Sequence, residues 1–232
     1  MILHVVERAL AARNVTRAIV ATDDLRILEA VQAAGFDAVM TRSDHASGSD
    51  RLAEAAAALD ETDIIVNLQG DEPLVSPLTI ETAVAELLAH PEAQIVTTSE
   101  EITNAEDVLS VDVVKVVVDA GGRALYFSRS PIPFPGDAVR KYGTLVAALE
   151  LDPDLLSRFR KHTGLYVYRR SFLLEYARWP QSELERMESL EQLRALERGV
   201  TIRVIEASSP SIGVDTEQDL ERVKKILETD CG

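Results

Sequence analysis

Cysteine is almost absent from the chain: Cys231, one residue from the end, is the single one. No intrachain disulfide can form, and no cysteine metal cluster is available. Positive charge is also scarce, with 24 Lys and Arg against 39 Asp and Glu and a formal net charge of −15. A surface of that sign repels a phosphate backbone or an anionic bilayer, so nucleic-acid and membrane partners lack electrostatic support. No apolar run reaches the roughly 18 residues that a spanning helix needs. The opening MILHVVERAL has neither the basic region nor the small-residue cleavage site of a secretory leader. These absences make a cytoplasmic protein the expectation. No Gly-Lys-Ser/Thr follows a glycine-containing loop, which excludes a P-loop.

What remains is an ordinary globular balance, 46% hydrophobic and 27% charged over 232 residues, enough for one α/β core carrying at most a small subsidiary lobe. Short β-branched runs at Ala18–Thr22, Ala38–Thr41, Asp63–Leu68 and Gln94–Thr98 alternate with helical patterns at Asp24–Ala34, Ser49–Leu59 and Ser76–Leu88. That alternation predicts a mostly parallel, doubly wound sheet. From Val113 the texture changes, and VVKVVVDAGGRALYFS reads as an antiparallel hairpin turning at Gly121-Gly122. Residues 110–170 are expected to form the subsidiary lobe of a single domain spanning 1–232. A strand at Leu165–Arg169, a helix at Leu190–Arg198, a strand at Thr201–Ile205 and a helix from Glu217 complete the pattern.

Met1–Ala12 reads as an amphipathic helix with no N-cap and no strand before it. In a doubly wound sheet the first strand normally lies near the centre, flanked on both sides. The expectation is that the natural start lies upstream, or that something else fills a gap in the sheet.

Three segments carry chemistry-bearing residues. IIVNLQGDEP delivers Gln69, Gly70, Asp71 and Glu72 at the carboxyl end of a buried strand, where ligand sites of open α/β sheets lie. A carboxylate there suits a hard divalent cation, although the same tetrapeptide can simply cap a strand. GVDTEQDLERV places Asp215 at the mouth of the last helix, where an acidic residue also complements the helix dipole. TRSDHASGSDRLAEA opens a helix just after a strand, and helix N-termini attract anions. Arg129, His162, Tyr166, Glu191 and Gln192 are scattered polar residues whose value lies in combination.

Read in order, TRSDHASGSDRLAE, VNLQGDEP, VVKVVVDAGGRALYFSRSPIP, HTGLYVYRR, SLEQLRAL and GVDTEQDLERV resemble the CMP-Kdo synthetases, the 3-deoxy-manno-octulosonate cytidylyltransferases of lipopolysaccharide synthesis. The resemblance implies a Rossmann-like fold of the nucleotide-diphospho-sugar transferase type, a homodimer, and a reaction of CTP with Kdo that releases pyrophosphate. By position it assigns Asp71 and Asp215 as catalytic magnesium ligands. Thr41, Arg42, Ser47, Gly48 and Arg51 fall around the cytidine, and Gln69, Arg129, His162, Tyr166, Glu191 and Gln192 around the sugar. Arg129 would be the partner of the sugar carboxylate. The family opens with a strand and a cationic triphosphate loop, roughly 25 residues together, that this sequence does not contain. Two other readings stay open: a cytidylyltransferase for a related acidic sugar, such as an 8-amino Kdo or a sialic acid, and a non-catalytic remnant.

Overall fold

The computed structural model describes residues 1–45, 47–59, 63–214 and 216–230, with no account of the side chains of 228–230. The amphipathic opening forms α1 (Ile2–Ala11), which starts at Met1 without a side-chain cap. It leads to β1 (Ile19–Thr22), α2 (Leu25–Ala33) and β2 (Asp37–Met40). Asp24 caps α2 by accepting the Arg26 amide, and Gly35, at φ +82°, turns the chain out of it. Then follow α3 (Gly48–Ala57), β3 (Ile64–Asn67), α4 (Pro77–Ala89) and β4 (Ile95–Glu101). Pro77 opens α4, where its missing N–H costs nothing.

After the short α5 (Ala105–Leu109), β5 (Lys115–Val118) and β6 (Ala124–Ser128) make the expected antiparallel hairpin. Its turn is held by Asp119, whose carboxylate accepts the Gly121 and Arg123 amides at 2.8 and 2.9 Å, with Gly122 at φ +79°. Helices α6 (Gly136–Tyr142) and α7 (Leu145–Leu151) and a 3-10 turn (Pro153–Arg158) bring the chain to β7 (Arg160–Arg169). Next come α8 (Arg170–Tyr176), α9 (Glu183–Glu188), α10 (Gln192–Glu197), β8 (Ile202–Glu206) and α11 (Glu217–Asp230).

The fold is α/β, as the alternation predicts, and β7 organises it. This ten-residue strand pairs antiparallel with β4 along one edge and with β3 and β5 on the other. Because β3, β4 and β5 all oppose β7, and β8 runs parallel to β4, those four strands point the same way. The sheet is therefore mixed in pairing, although most of its strands share one direction. Alternation sorts its side chains: Val96, Leu165 and Val167 join α4 in one core, while Ile65, Ile95 and Tyr168 face α3, α8 and α10 in the other.

Among the described residues β1 pairs only with β2, and β3 only with β7. Between β1 and β3 runs an apolar slot. Its lower part, ≈ 600 Å³, is lined by Val15–Ile19 and Asp63–Val66; its upper part, ≈ 340 Å³, by Ala18–Ala21 and Asn67–Gly70. Both walls advance along the slot in chain order, so β1 and β3 run in the same direction. Ile2, Val5, Val6 and Ala9 of α1 line its upper part. The slot separates the β1–β2 pair from the six-stranded sheet, and no described strand occupies it.

Candidate active site

The carboxyl end of β3 delivers the acidic turn as expected. The Glu72 amide bonds to the Gln69 carbonyl at 3.2 Å, which folds Gln69-Gly70-Asp71-Glu72 back across the sheet end. Asp71 is half-buried, and its carboxylate accepts no hydrogen bond from a described residue, so both oxygens keep their acceptor capacity. Its backbone carbonyl accepts the Val214 amide at 2.9 Å, and the Ser211 amide binds Glu100 at 2.8 Å. The segment leading to α11 thus lies along the same sheet end. Asp215 lies outside the described residues, and Val214 is its neighbour in sequence.

Glu72 turns toward β7. Burial, and then the neighbouring Asp71 charge, push its carboxyl above the usual range, while the Gly164 amide partly counters that. Gly164 permits the contact: a Cβ there would sit 2.9 Å from Glu72 Oε1 and 3.0 Å from Gln69 Cγ. Changing Gly164→Ala is expected to cost about 1–3 kcal/mol through overpacking and to displace both side chains. Gly213→Ala, with nothing within 4 Å, should stay within about 0.5 kcal/mol of the parent. Urea titration of the two variants checks the contrast.

On either side of Gly164 stand His162 and Tyr166, their rings 5.3 Å apart, with Phe127 edge-on to His162 at 5.1 Å and Tyr168 stacked on Tyr166 at 5.7 Å. Tyr166 lies opposite Asn67 of β3 in the ladder. The structure therefore brings Gln69, Asp71, His162 and Tyr166 to one end of the β3–β7 pair. Dense protein around the His162 ring pushes its pKa down to about 3, so it is neutral at pH 7.

The loop before α3 assembles beside them. Ser47 caps the helix by accepting the Asp50 amide at 3.2 Å. Arg51 reaches back to Asp23 at 2.7 Å and to Thr41 Oγ1 at 3.2 Å, and the Asp23 bond raises its pKa. Gly48, Arg51, Gln69 and Gly70 line the upper slot together, which joins this loop to the β3 turn. Arg42 turns elsewhere, toward Asp44 at 3.2 Å and Glu54 at 3.6 Å, on the wall of a separate ≈ 590 Å³ depression.

Glu191 is tied to α3 rather than left free: the Ser49 hydroxyl donates to its carboxylate at 2.6 Å, across 142 residues of sequence. Tyr176 Oη–H donates to the Glu191 carbonyl at 2.6 Å. The corner of α9 and α10 that carries Glu191 is fixed by a buried pair in which Arg194 donates to Glu185 at 2.6 and 2.8 Å. Gln192 beside it is buried, and its Nε2 has no partner among the described residues.

Arg129 spends three of its five N–H donors on carbonyls of Glu188 (2.8 Å), Val111 (2.9 Å) and Ser189 (3.4 Å). Its own carbonyl accepts from Lys115, a fully buried ammonium that also binds the Ser110 and Val113 carbonyls at 2.7 and 2.6 Å. Gly164, Ser49, Glu188 and Asp23 escape sequence reasoning because each acts through a partner distant in the chain, and Lys115 because it bonds backbone carbonyls that its own side chain does not mark. Only the break of β-propensity at Gly164, inside HTGLYVYR, is a local signal.

A family profile described as cytidylyltransferase matches residues 1–202. A 3-deoxy-manno-octulosonate cytidylyltransferase of Trichlorobacter lovleyi is 51% identical over 227 residues, 98% of this chain and 88% of the relative. The chain belongs to the 3-deoxy-manno-octulosonate cytidylyltransferase family. The Geobacter sulfurreducens member is 50% identical over the same shares of both chains. A solved CMP:2-keto-3-deoxy-manno-octonic acid synthetase complexed with CTP superposes on this cytidylyltransferase fold with a TM-score of 0.86 at 42% identity, covering 99% of this chain and 88% of that one. A Bacillus anthracis structure described as a putative glucose-1-phosphate thymidylyltransferase, 14% identical with a TM-score of 0.63 over 97% of this chain and 81% of its own, shares the fold alone.

Proposed function

We infer that the chain transfers a cytidylyl group from CTP to 3-deoxy-manno-octulosonate, giving CMP-Kdo and pyrophosphate. The observation that carries this reading is the unbonded Asp71 carboxylate at the carboxyl end of β3, set beside the His162–Tyr166 face of β7 in a chain of this family. The anomeric hydroxyl oxygen of the sugar forms a bond to the α-phosphorus, the bond from that phosphorus to the leaving pyrophosphate breaks, and the hydroxyl proton departs.

Carboxylate oxygens fit a hard cation, and Asp71 has its acceptors unclaimed, so Asp71 together with Asp215 would hold magnesium. When bound, that ion neutralises phosphate charge and acidifies the attacking hydroxyl. The protein's own residues position the reactants. Thr41, Ser47, Gly48 and Arg51 frame the nucleoside from the α3 end, and Arg42 must leave its two carboxylates to join them. Gln69, His162, Tyr166, Glu191 and Gln192 frame the sugar. Arg129 keeps two N–H donors, enough for a bidentate bond to the sugar carboxylate.

The slot between β1 and β3 is read as the seat of the strand with which the family opens, entering parallel to both neighbours, with α1 as its crossover helix. Homodimer contacts are assigned to the 110–170 lobe, supported by exposed Val111, Leu125, Phe134 and Leu151. No described helix is long and apolar enough to cross a membrane, in keeping with a cytoplasmic site of action. Pyrophosphate release that requires CTP, Kdo and magnesium together is the expected result for this chain. Its absence here and its appearance in a chain extended upstream of Met1 would mark the shorter form as a remnant, and faster turnover of 8-amino Kdo or a sialic acid would reassign the sugar.

A further inference from the structure

Thr97 is fully buried on β4, where the ladder to β7 slips between Thr97 and Thr98. Its hydroxyl lies 2.8 Å from the Leu165 carbonyl, 3.5 Å from the Thr163 carbonyl and 2.9 Å from His162 Nε2. A hydroxyl has one proton to give, and a carbonyl can only accept. The Thr97 proton therefore points at Leu165, its lone pair faces the imidazole, and Nε2 must carry the ring hydrogen. The tautomer follows from the bonding network. His162 Nδ1 is left as a bare acceptor: it has no partner among the described residues, and the residue is only partly buried. Phe127 edge-on at 81° and Tyr166 tilted at 58° hold the ring plane.

We propose that Thr97 is a positioning residue that locks His162 in the Nε2–H tautomer, so that Nδ1 accepts a hydrogen bond from a hydroxyl of the acidic-sugar substrate. The second half rests on the reading of His162 as a sugar contact. The ring stays uncharged at neutral pH because dense surroundings disfavour the imidazolium, which suits it to a hydroxyl and leaves the sugar carboxylate to a guanidinium. The bulge supplies the device: slipping the ladder exposes the Leu165 carbonyl to a side-chain donor, and a threonine spans from it to the ring.

Long-range proton–nitrogen NMR of uniformly ¹⁵N-labelled protein reads the tautomer without reference to activity. The chain has four histidines, and His162 is assigned by the signal missing from His162→Gln. The expected spectrum shows a protonated Nε2 and an unprotonated Nδ1 from about pH 5 to about pH 8, across the range in which free imidazole titrates. Saturation with Kdo should shift Nδ1. Thr97→Val should mix the tautomers and raise the KM for Kdo about tenfold, the equivalent of one lost neutral hydrogen bond, with the KM for CTP unchanged. Thr97→Ser should restore both. A wild-type ring protonated at Nδ1, or a Thr97→Val spectrum identical to wild type, overturns the lock. An intact lock whose Nδ1 ignores saturating Kdo instead overturns the placement of His162 at the sugar.

Discussion

Replacing Asp71 with Asn should lower turnover at least about tenfold, because a neutral amide oxygen is a poor ligand for a hard cation, and should leave the melting temperature almost unchanged. The two halves of that expectation come from different atoms. The backbone carbonyl of Asp71, which Asn retains, accepts the Val214 amide and holds the approach to α11 in place. The carboxylate accepts nothing from the described protein, so stability owes it little. The turnover of Asp71→Asn should also need more magnesium to reach half its maximum. Equal turnover with an equal magnesium requirement would take Asp71 out of the metal site. Glu72→Gln is the contrasting variant, since Glu72 is desolvated, faces Gly164 and lies beside Ser211. Its effect should fall on folding and on the placement of Gln69 before it falls on magnesium.

Much of the fold could be read locally. The turn at Gly121-Gly122 lies where the pattern puts it, and α2 and α4 form within a residue of the helical stretches Asp24–Ala34 and Ser76–Leu88, while α3 begins at Gly48, ahead of the expected Ser49, because Ser47 caps it. The long strand β7 could not be read whole. Its second half, Leu165–Arg169, has the β-branched and aromatic residues of a strand, whereas Arg160–Gly164 is polar and interrupted by glycine. That first half is extended because β4 and β5 pair with it, and tertiary pairing overrides weak propensity. The helix expected over Leu190–Arg198 shortens to Gln192–Glu197, since Ser189 turns left-handed at φ 55° as α9 ends.

The candidate site divides the same way. Residue types at a strand end mark Gln69 and Asp71, and only the family resemblance adds His162 and Tyr166; whether an arginine is free to meet an anion depends on neighbours that spacing does not reveal. In a chain with 39 acidic residues, Arg51 and Arg42 have each already found a carboxylate. Arg129 has found a ring of carbonyls instead. If a nucleotide is to engage Arg51 and Arg42, it has to compete with Asp23, Asp44 and Glu54 for them, which favours a site that tightens only when nucleotide is present.

The largest expected gain in stability comes from the slot. Supplying roughly 25 residues ahead of Met1, so that an extended segment lies between β1 and β3, should raise the melting temperature on the order of 10 °C. That figure corresponds to a few kcal/mol at about 2–4 °C per kcal/mol for a domain of this size. Both edges of the slot are strand backbone whose outward N–H and C=O groups lack a ladder partner among the described residues, and each net hydrogen bond formed is worth about 0.5–1.5 kcal/mol. The incoming side chains meet Val5, Val6, Leu52 and Ile80, so they should be apolar on both faces, as in a strand covered by helices on each side. Ordering the segment costs about 1–2 kcal/mol per residue in backbone entropy, which is why the net gain is a fraction of the gross one. Hydrogen exchange locates the effect: the amides of Ala21 in β1 and Val66 in β3, which point away from β2 and β7, should slow together. An extension that raises the melting temperature while either amide exchanges as before has stabilised the protein somewhere other than the slot.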